Sequence, residues 1–569
     1  MVSLVKKLIR GKPYYYARQS KRVNGKPKIV WQKYLGRADD IVAALAAEPA
    51  GAAQPSEAVV RDFGAVIALY DLAKRLQLIE HIDRHVPKRS NGPSVGTYLL
   101  VAILNRCLAP CSKASIAQWI EQTVLPRHLD IQPRQLTSQR FWDNMDRLSR
   151  QKIEAIERDL VTQMVRDFDI DLSRVLFDAT NFFTFIDSFN SRSTLAQRGH
   201  SKEGRAALRI VGLALLVSAD FHLPLLHRSY PGNRADAPTF HSLTAALVAR
   251  YCQITDGAQH VTLVFDKGNN SRDNLEAVAD SPYHFIGSLV PSRHPDLLAI
   301  PARRLRSLEP DGLPGVSAYR TSRKLFGVER TVLVSYNENL FRAQAQTLLR
   351  EIAKRQTRLR ELQSRLRRWH RGQPRAGKRP TVAGVKTKLK AWLKARHMTE
   401  LFQVEVAETH GLPSLRYRFD RRAWQRLQNT LLGKTLLFTD NHDWGDADIV
   451  RGYRAQHHVE SAFRQIKDTH HIALRPQHHW TDQKVEVHVF CCVLALLLCS
   501  LLRRQLHRHG IQRSATQMLE QLGQIREVAV LYPPQGKRRT ASLQMTISRL
   551  SEPQRELYEA LQLDRYRSP

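Results

Sequence analysis

Two short apolar runs, 175–177 and 261–265, rich in Val, Leu and Phe, each end abruptly in an aspartate, Asp178 and Asp266. Uniformly apolar stretches of this length predict buried strands. Strands are expected over 174–178, 208–218, 222–228, 261–266 and 284–290, with a helical stretch near 236–252. Upstream the period changes. Residues 14–35 alternate apolar and polar about Asn24-Gly25, which predicts a basic β-hairpin. Phe63, Val66, Ile67, Tyr70, Ala73 and Leu76 recur at three and four, and residues 58–165 read as a helical bundle. Downstream, Ala345, Leu348, Ile352, Leu359, Leu362, Leu366 and Trp369, then 382–393, predict a helical hairpin whose spacing is broken by Arg355. Residues 402–406, 415–419 and 434–438 alternate like strands.

The sharpest pattern is YRAQHHVESAFRQIK at 453–467. At about 100° per residue, Tyr453, Gln456, Arg464 and Lys467 fall within roughly 40° of Glu460 on one helical stripe. Val459, Ala462, Phe463 and Ile466 form an apolar stripe beside it. A carboxylate beside an amide, an aromatic ring and two cations suits a metal-bound phosphodiester. A carboxylate ending a buried strand is costly to desolvate without compensation. Asp266 runs into Lys267-Gly268-Asn269-Asn270, a turn, so it is expected at the carboxyl end of its strand, where open sheets place ligands. Asp178, Asp266 and Glu460 together make an all-oxygen donor set that Mg²⁺ accepts.

Composition points to a polyanionic partner. Lys and Arg number 88 against 53 Asp and Glu, a net charge of +35. The six cysteines lack paired metal-ligand spacing and read as reduced structural thiols. No signal peptide is evident at the start, and the apolar run 485–502 contains Glu486 and His488 and reads as a buried helix. A protein without membrane contact is expected.

The ordered set Asp178, Asp266, Glu460, with the last inside Tyr-x2-Gln-x3-Glu-x6-Lys, resembles the DDE transposases of bacterial insertion sequences, in the large group with a Tyr-Arg-Glu-Lys signature. Asp178-Ala-Thr-Asn-Phe-Phe, Tyr230-Pro-Gly-Asn233 and Asp266-x-Gly268-x-x-Ser271-x-x-Asn274 agree, and the resemblance spans about 12–505. It implies an α/β chain with an RNase H-like core, interrupted by a long α+β insertion because 194 residues separate Asp266 from Glu460. It also implies three catalytic carboxylates on two Mg²⁺ ions, with Mn²⁺ expected to substitute. Tyr453, Gln456, Arg464 and Lys467 would contact DNA. The partners implied are double-stranded DNA, as element ends and as target, and a second copy in a homodimeric complex in the bacterial cytoplasm at the nucleoid. The signature's arginine position holds Gln456; Arg454 or Arg464 is left to supply that cation.

The expected organisation is a basic hairpin region at 1–50, a helical DNA-binding or dimerisation domain at 58–168 and the first part of the core at 169–300. An insertion at 301–440, the second part of the core at 441–510 and a helical tail at 511–569 follow. A catalytically inactive domesticated DNA-binding protein and another RNase H-like nuclease are the alternatives. Gly433-Lys434-Thr435 lacks the first glycine of a P-loop. The histidine pairs at 457, 470 and 478 do not share a helix face, and Trp480 reads as a core or rim tryptophan, with stacking on an extruded base as the alternative.

Overall fold

A computed structural model describes residues 2–23, 26–46, 54–88, 92–187, 189–205, 207–234, 261–265, 270, 272–279, 281, 283–373, 378–475, 478–533 and 541–568. Asp266 and the helix expected near 236–252 lie outside the described residues. The chain divides into two compact units, Met1–Gly64 with Leu522–Pro569, and Ala65–Gln521.

In the first unit, β1 (Val2–Ile9), β2 (Lys12–Val23) and β3 (Lys26–Gly36) form an antiparallel sheet. The stretch expected as a hairpin holds β2 and β3. The third strand, β1, was missed because Lys6-Lys7 and Leu8-Ile9 interrupt a period of two. A short helix, Ala38–Ala46, follows, and then β4 (Glu57–Asp62), a strand where helical structure was expected to begin.

The second unit opens with helices. Val95–Leu108, Ser138–Met145 and Arg150–Phe168 bury Tyr98, Leu104, Phe141, Ile156 and Leu160. Next come β5 (Arg174–Phe183), β6 (Ile210–Ser218) and β7 (Pro224–Pro231), an antiparallel meander. Two further strands, β8 (Val261–Val264) and β9 (Tyr283–Ser288), join on the other side, β8 parallel to β5 and β9 parallel to β8. Both faces are covered here, so β6 and β8 are buried at every position.

The sheet continues beyond β9. Added to it are β10 (Arg306–Ser307), β11 (Val316–Leu325) and β12 (Val328–Asn337). A separate hairpin, β13 (Phe402–Thr409) and β14 (Leu412–Phe419), precedes β15 (Lys434–Thr439), which inserts between β12 and β9. The nine strands run β10-β11-β12-β15-β9-β8-β5-β6-β7. The segment expected as an insertion therefore contributes four strands to the main sheet. The sequence places 434–438 as a strand of that insertion, whereas it pairs with β12 and β9 in the main sheet, burying Leu436, Leu437 and Phe438. What stands outside the sheet is the helix Glu338–His370, the helix Val382–Leu393 and the hairpin β13–β14, sharing a core of Ile352, Leu359, Leu366, Leu389 and Phe402. Arg355 interrupts the apolar spacing yet is buried, because its Nε donates to the Trp392 carbonyl (2.7 Å) and its Nη1 pairs with Glu351 (2.8 Å).

Two helices, Asp446–Arg454 and His457–Ile466, lead to the helix Asp482–Arg508, which is long and apolar enough to cross a membrane but has 94% of its most apolar stretch buried. The last segment, expected to be a helical tail, contains β16 (Arg526–Tyr532) and β17 (Ser542–Ile547) as well as the helix Glu552–Ala560. Alternation in Val528, Val530 and Tyr532 favours the strand, and β16 lies between β17 and β4 in a three-stranded sheet. Arg526 pairs with Asp62 across that sheet.

Truncation inside the 482–508 helix should be expensive. Leu496→Ala is expected to cost about 2–5 kcal/mol, whereas Leu349→Ala, 51% exposed, should stay within about 0.5 kcal/mol. Urea midpoints of the two variants, followed by tryptophan fluorescence, check this.

Candidate functional site

The helix His457–Ile466 exists because four apolar side chains have one place to go. Val459, Ala462, Phe463 and Ile466 are all buried, and the helix lies against β5 and β6. Gln465 Oε1 is 3.2 Å from His222 Nε2 in the turn before β7. Burial pulls that imidazole down to about 4, so it is neutral at pH 7. The preceding helix is tied to β11 by Arg320, which donates to the carbonyls of Trp444 (2.7 Å) and His442 (2.6 Å) and pairs with Asp446 at 3.0 Å.

Residues 453–467 do not form the single helix that the spacing implied. Gln456 N bonds to Tyr453 O, His458 N to Ala455 O and Val459 N to Gln456 O, a tightened i→i+3 step between the two helices. Tyr453 ends one helix, Gln456 precedes the next and Lys467 closes it. The functional grouping partly survives this break. Tyr453, Gln456 and Glu460 line one cavity of about 270 Å³, together with Arg454, His457, Asn337 of β12 and Thr435 of β15. Arg464 is exposed and lies outside that lining. Among the described residues the Glu460 carboxylate and the Arg454 guanidinium make no ion pair. Burial lowers the Arg454 pKa, so this cation is partly desolvated without an anion beside it.

Asp178 is half-buried on β5 and accepts a hydrogen bond from the Ala179 N–H (2.7 Å). The helix that holds Glu460 is fastened to this same strand just beyond Asp178. Lys467 Nζ donates to Thr180 Oγ1 (2.8 Å) and to the Asn181 carbonyl (2.6 Å), and it pairs with Glu203 at 3.3 Å. Its three donors are thus spent inside the protein, where a phosphate contact was expected. Arg475 holds the other Glu203 oxygen at 2.6 Å, and Lys202 Nζ donates to the Ala179 carbonyl (2.6 Å). Desolvation lowers the Lys467 pKa against the raising pull of Glu203. Among the described residues, Lys467, Lys202 and Arg475 bring three cations to the strand after Asp178, with Glu203 pairing two of them.

Glu203, Lys202 and Arg475 were not anticipated. They sit in polar loops with no period to mark them. Next to them is an exposed aromatic surface. Arg205 and Arg475 lie over the Phe183 ring (4.6 and 5.7 Å), Phe183 meets Phe185 edge-on, and Phe185 stacks with His478 at 5.3 Å. Phe185 and Trp480 are 49% and 61% exposed. Solvent-facing rings flanked by arginines suit stacking with nucleobases.

No family model matches the chain, and no curated protein does. Among solved structures, a cryo-EM piggyBac transposase synaptic complex with hairpin DNA is similar over 82% of each chain, at 7% identity and a TM-score of 0.31. A Mos1 transposase paired-end complex with left transposon end is similar over 35% of this chain and 60% of that chain, at 9% identity and a TM-score of 0.15. Both are transposases. Scores this low carry no conclusion about function.

Carboxylate donors of the kind Mg²⁺ takes are present in Asp178 and Glu460, and among the described residues no cation pairs with Glu460. Among the described residues no group of three or more acidic, His or Cys side chains gathers into a metal site. Asp266, the third expected ligand, lies outside them.

Removing the Glu203 charge should expose the cost of burying Lys467, whose side chain is 14% exposed. Glu203→Gln is expected to destabilise the fold by about 1–3 kcal/mol at pH 7. The folded pKa of Lys467 lies below its unfolded value, so the unfolded state binds more protons between the two and stability rises with pH there. The variant lowers the folded pKa further. Its deficit should therefore shrink as pH approaches about 10, and should be insensitive to pH in a Lys467→Met background, as urea midpoints at pH 7 and 9.5 would show.

Proposed function

We propose that this chain is a DDE transposase of the bacterial insertion-sequence type, binding the ends of a mobile element and joining them to target DNA. The observation that supports it most is the register of β5 and β8. These parallel strands set Leu176 opposite Val264, and each of those residues stands two positions ahead of one predicted catalytic aspartate in the sequence. The five strands β7-β6-β5-β8-β9, three antiparallel and then two parallel, are what this reading takes as its RNase H-like core, with β15, β12, β11 and β10 beyond them in the same sheet. The internal bonds of Lys467 to Thr180 and Asn181 bring the Glu460 helix to the Asp178 strand.

In this reading Asp178, Asp266 and Glu460 hold a pair of Mg²⁺ ions, for which Mn²⁺ would substitute. When bound, the ions supply charge neutralisation for in-line displacement at phosphorus and activate a water or 3′-hydroxyl. The protein's own residues position. Lys467 fixes the helix, and Tyr453, Gln456 and Arg454 present an aromatic ring, an amide and a partly desolvated cation to the phosphate backbone. Since Arg454 lines the Glu460 cavity and Arg464 does not, Arg454 is the residue that makes good the missing signature arginine. The net charge of +35 favours duplex DNA as partner, a homodimer would pair the two element ends, and the bacterial cytoplasm at the nucleoid is the setting.

Asp178→Asn, Asp266→Asn and Glu460→Gln are each expected to reduce cleavage and strand transfer by at least about 10²-fold, with end binding nearly unchanged. Gel shift and joining assays on element ends with Mg²⁺ decide this, and near-normal cleavage by any of the three sinks that assignment. Cleavage by the wild type without joining would favour a nuclease instead.

A second comparison separates the two arginines. Arg454→Gln should weaken strand transfer about tenfold, Arg464→Gln by much less, and Gln456→Arg should be tolerated. Equal losses at 454 and 464, measured as transfer yield at two salt concentrations, would remove Arg454 from the phosphate site.

A further inference from the structure

The sheet β1–β3 has no core of its own. Among its described residues Gly36 alone is buried, while Leu4 is 62% and Trp31 45% exposed. A three-stranded sheet ordinarily needs one apolar face covered. Its charge makes the exposure more pointed. Residues 1–37 contain 11 Lys and Arg and no Asp or Glu.

Strand register sorts these cations by face. One face carries Tyr14, Tyr16 and Tyr34, packed ring to ring at 6.1 and 5.2 Å, with Lys7 over Tyr16 and Arg37 over Tyr14. That face satisfies itself. The pairs Lys6↔Tyr15, Ala17↔Lys33, Gln19↔Trp31 and Lys21↔Lys28 define the other. It presents Lys6, Lys21, Lys28 and Lys33, with Gln19, Trp31 and the exposed Leu4 and Leu8 among them, and among the described residues none of these lysines forms an ion pair. Lys21 and Lys28 are direct cross-strand partners, a like-charge juxtaposition that costs stability in the free protein and is relieved by a polyanion.

We propose that this lysine face of β1–β3 seats in the major groove of duplex DNA, with the lysines on phosphates and Gln19 at base edges. Three strands span about 10 Å between their outer backbones, against a groove about 12 Å wide. A strand-borne reading surface of this kind makes phosphate contacts for position and few base contacts for register. The inference rests on the DNA-joining reading above and names a contact surface on the unit that does not carry the carboxylates.

The test uses the full chain and a 40-base-pair duplex from the element's end. Lys6→Gln with Lys33→Gln, both at exposed positions, should make the slope of log affinity against log salt shallower by about 2. It should also erase a short patch of guanine N7 protection from dimethyl sulfate while the rest of the footprint persists. Lys354→Gln with Arg360→Gln, the same charge removed from the 338–370 helix, should leave that patch intact. An unchanged slope and footprint, loss of the patch in both double variants, or tighter binding to single-stranded RNA than to the duplex would each overturn the proposal. A chain that loses the patch as expected but never joins strands in Mg²⁺ would keep this inference and defeat the transposase reading.

Discussion

An ammonium group cannot lie over the middle of a buried sheet without partners, and Lys467 lies over β5. Its solution is to spend every donor on Thr180, Asn181 and Glu203, while Arg475 takes the second Glu203 oxygen. Those bonds convert a desolvation problem into a clamp. Because the clamp closes at the end of the 457–466 helix, the helix has little freedom to rotate about its axis or slide along the strand. The direction in which Glu460 points follows from that, and so does the separation between its turn and Asp178.

The clamp needs a firm bed, which the 482–508 helix supplies. Asp482, at its start, accepts from Ser193 Oγ (2.7 Å), Thr194 N (2.9 Å) and Leu195 N (3.0 Å). Burial pushes its pKa up, but the bonds from Thr194, Leu195 and Ser193 outweigh that and hold it below the usual carboxylate range. At the far end, Arg504 donates to the carbonyls of Phe168 and Asp169, just ahead of β5. The helix is thus pinned at both ends to segments that flank the Asp178 strand.

Much of this was legible in residue order. Apolar runs that stop at aspartates marked where β5 and β8 lie, although β5 runs on to Phe183 and holds Asp178 in mid-strand where a strand end was expected, because Ala179 to Phe183 continue the pairing with β6. The apolar stripe at Val459, Ala462, Phe463 and Ile466 marked the buried side of the glutamate helix. Strand partnership was not legible. That β15 would slot between β12 and β9 depends on contacts across about 150 residues, and alternation describes one strand at a time. The inward turn of Lys467 was hidden for a related reason, since helical spacing gives an angle about the axis but says nothing of what the sheet below offers. Gln456, buried and at a tightened step, shows the same limit: the stripe assumed a uniform 3.6 residues per turn through a place where the chain uses three.

The pairing of β4 with β16 joins residues 464 positions apart, Asp62 opposite Arg526. At synthesis rates of about 5–20 residues per second, the strand at 57–62 is made roughly 20 to 90 s before its partner exists. The second unit, which ends at Gln521, is made within that interval, while β4 waits with an open edge. A chain cut between residues 522 and 526 would hold the whole second unit, nine-stranded sheet included, and would leave the β4 edge without β16.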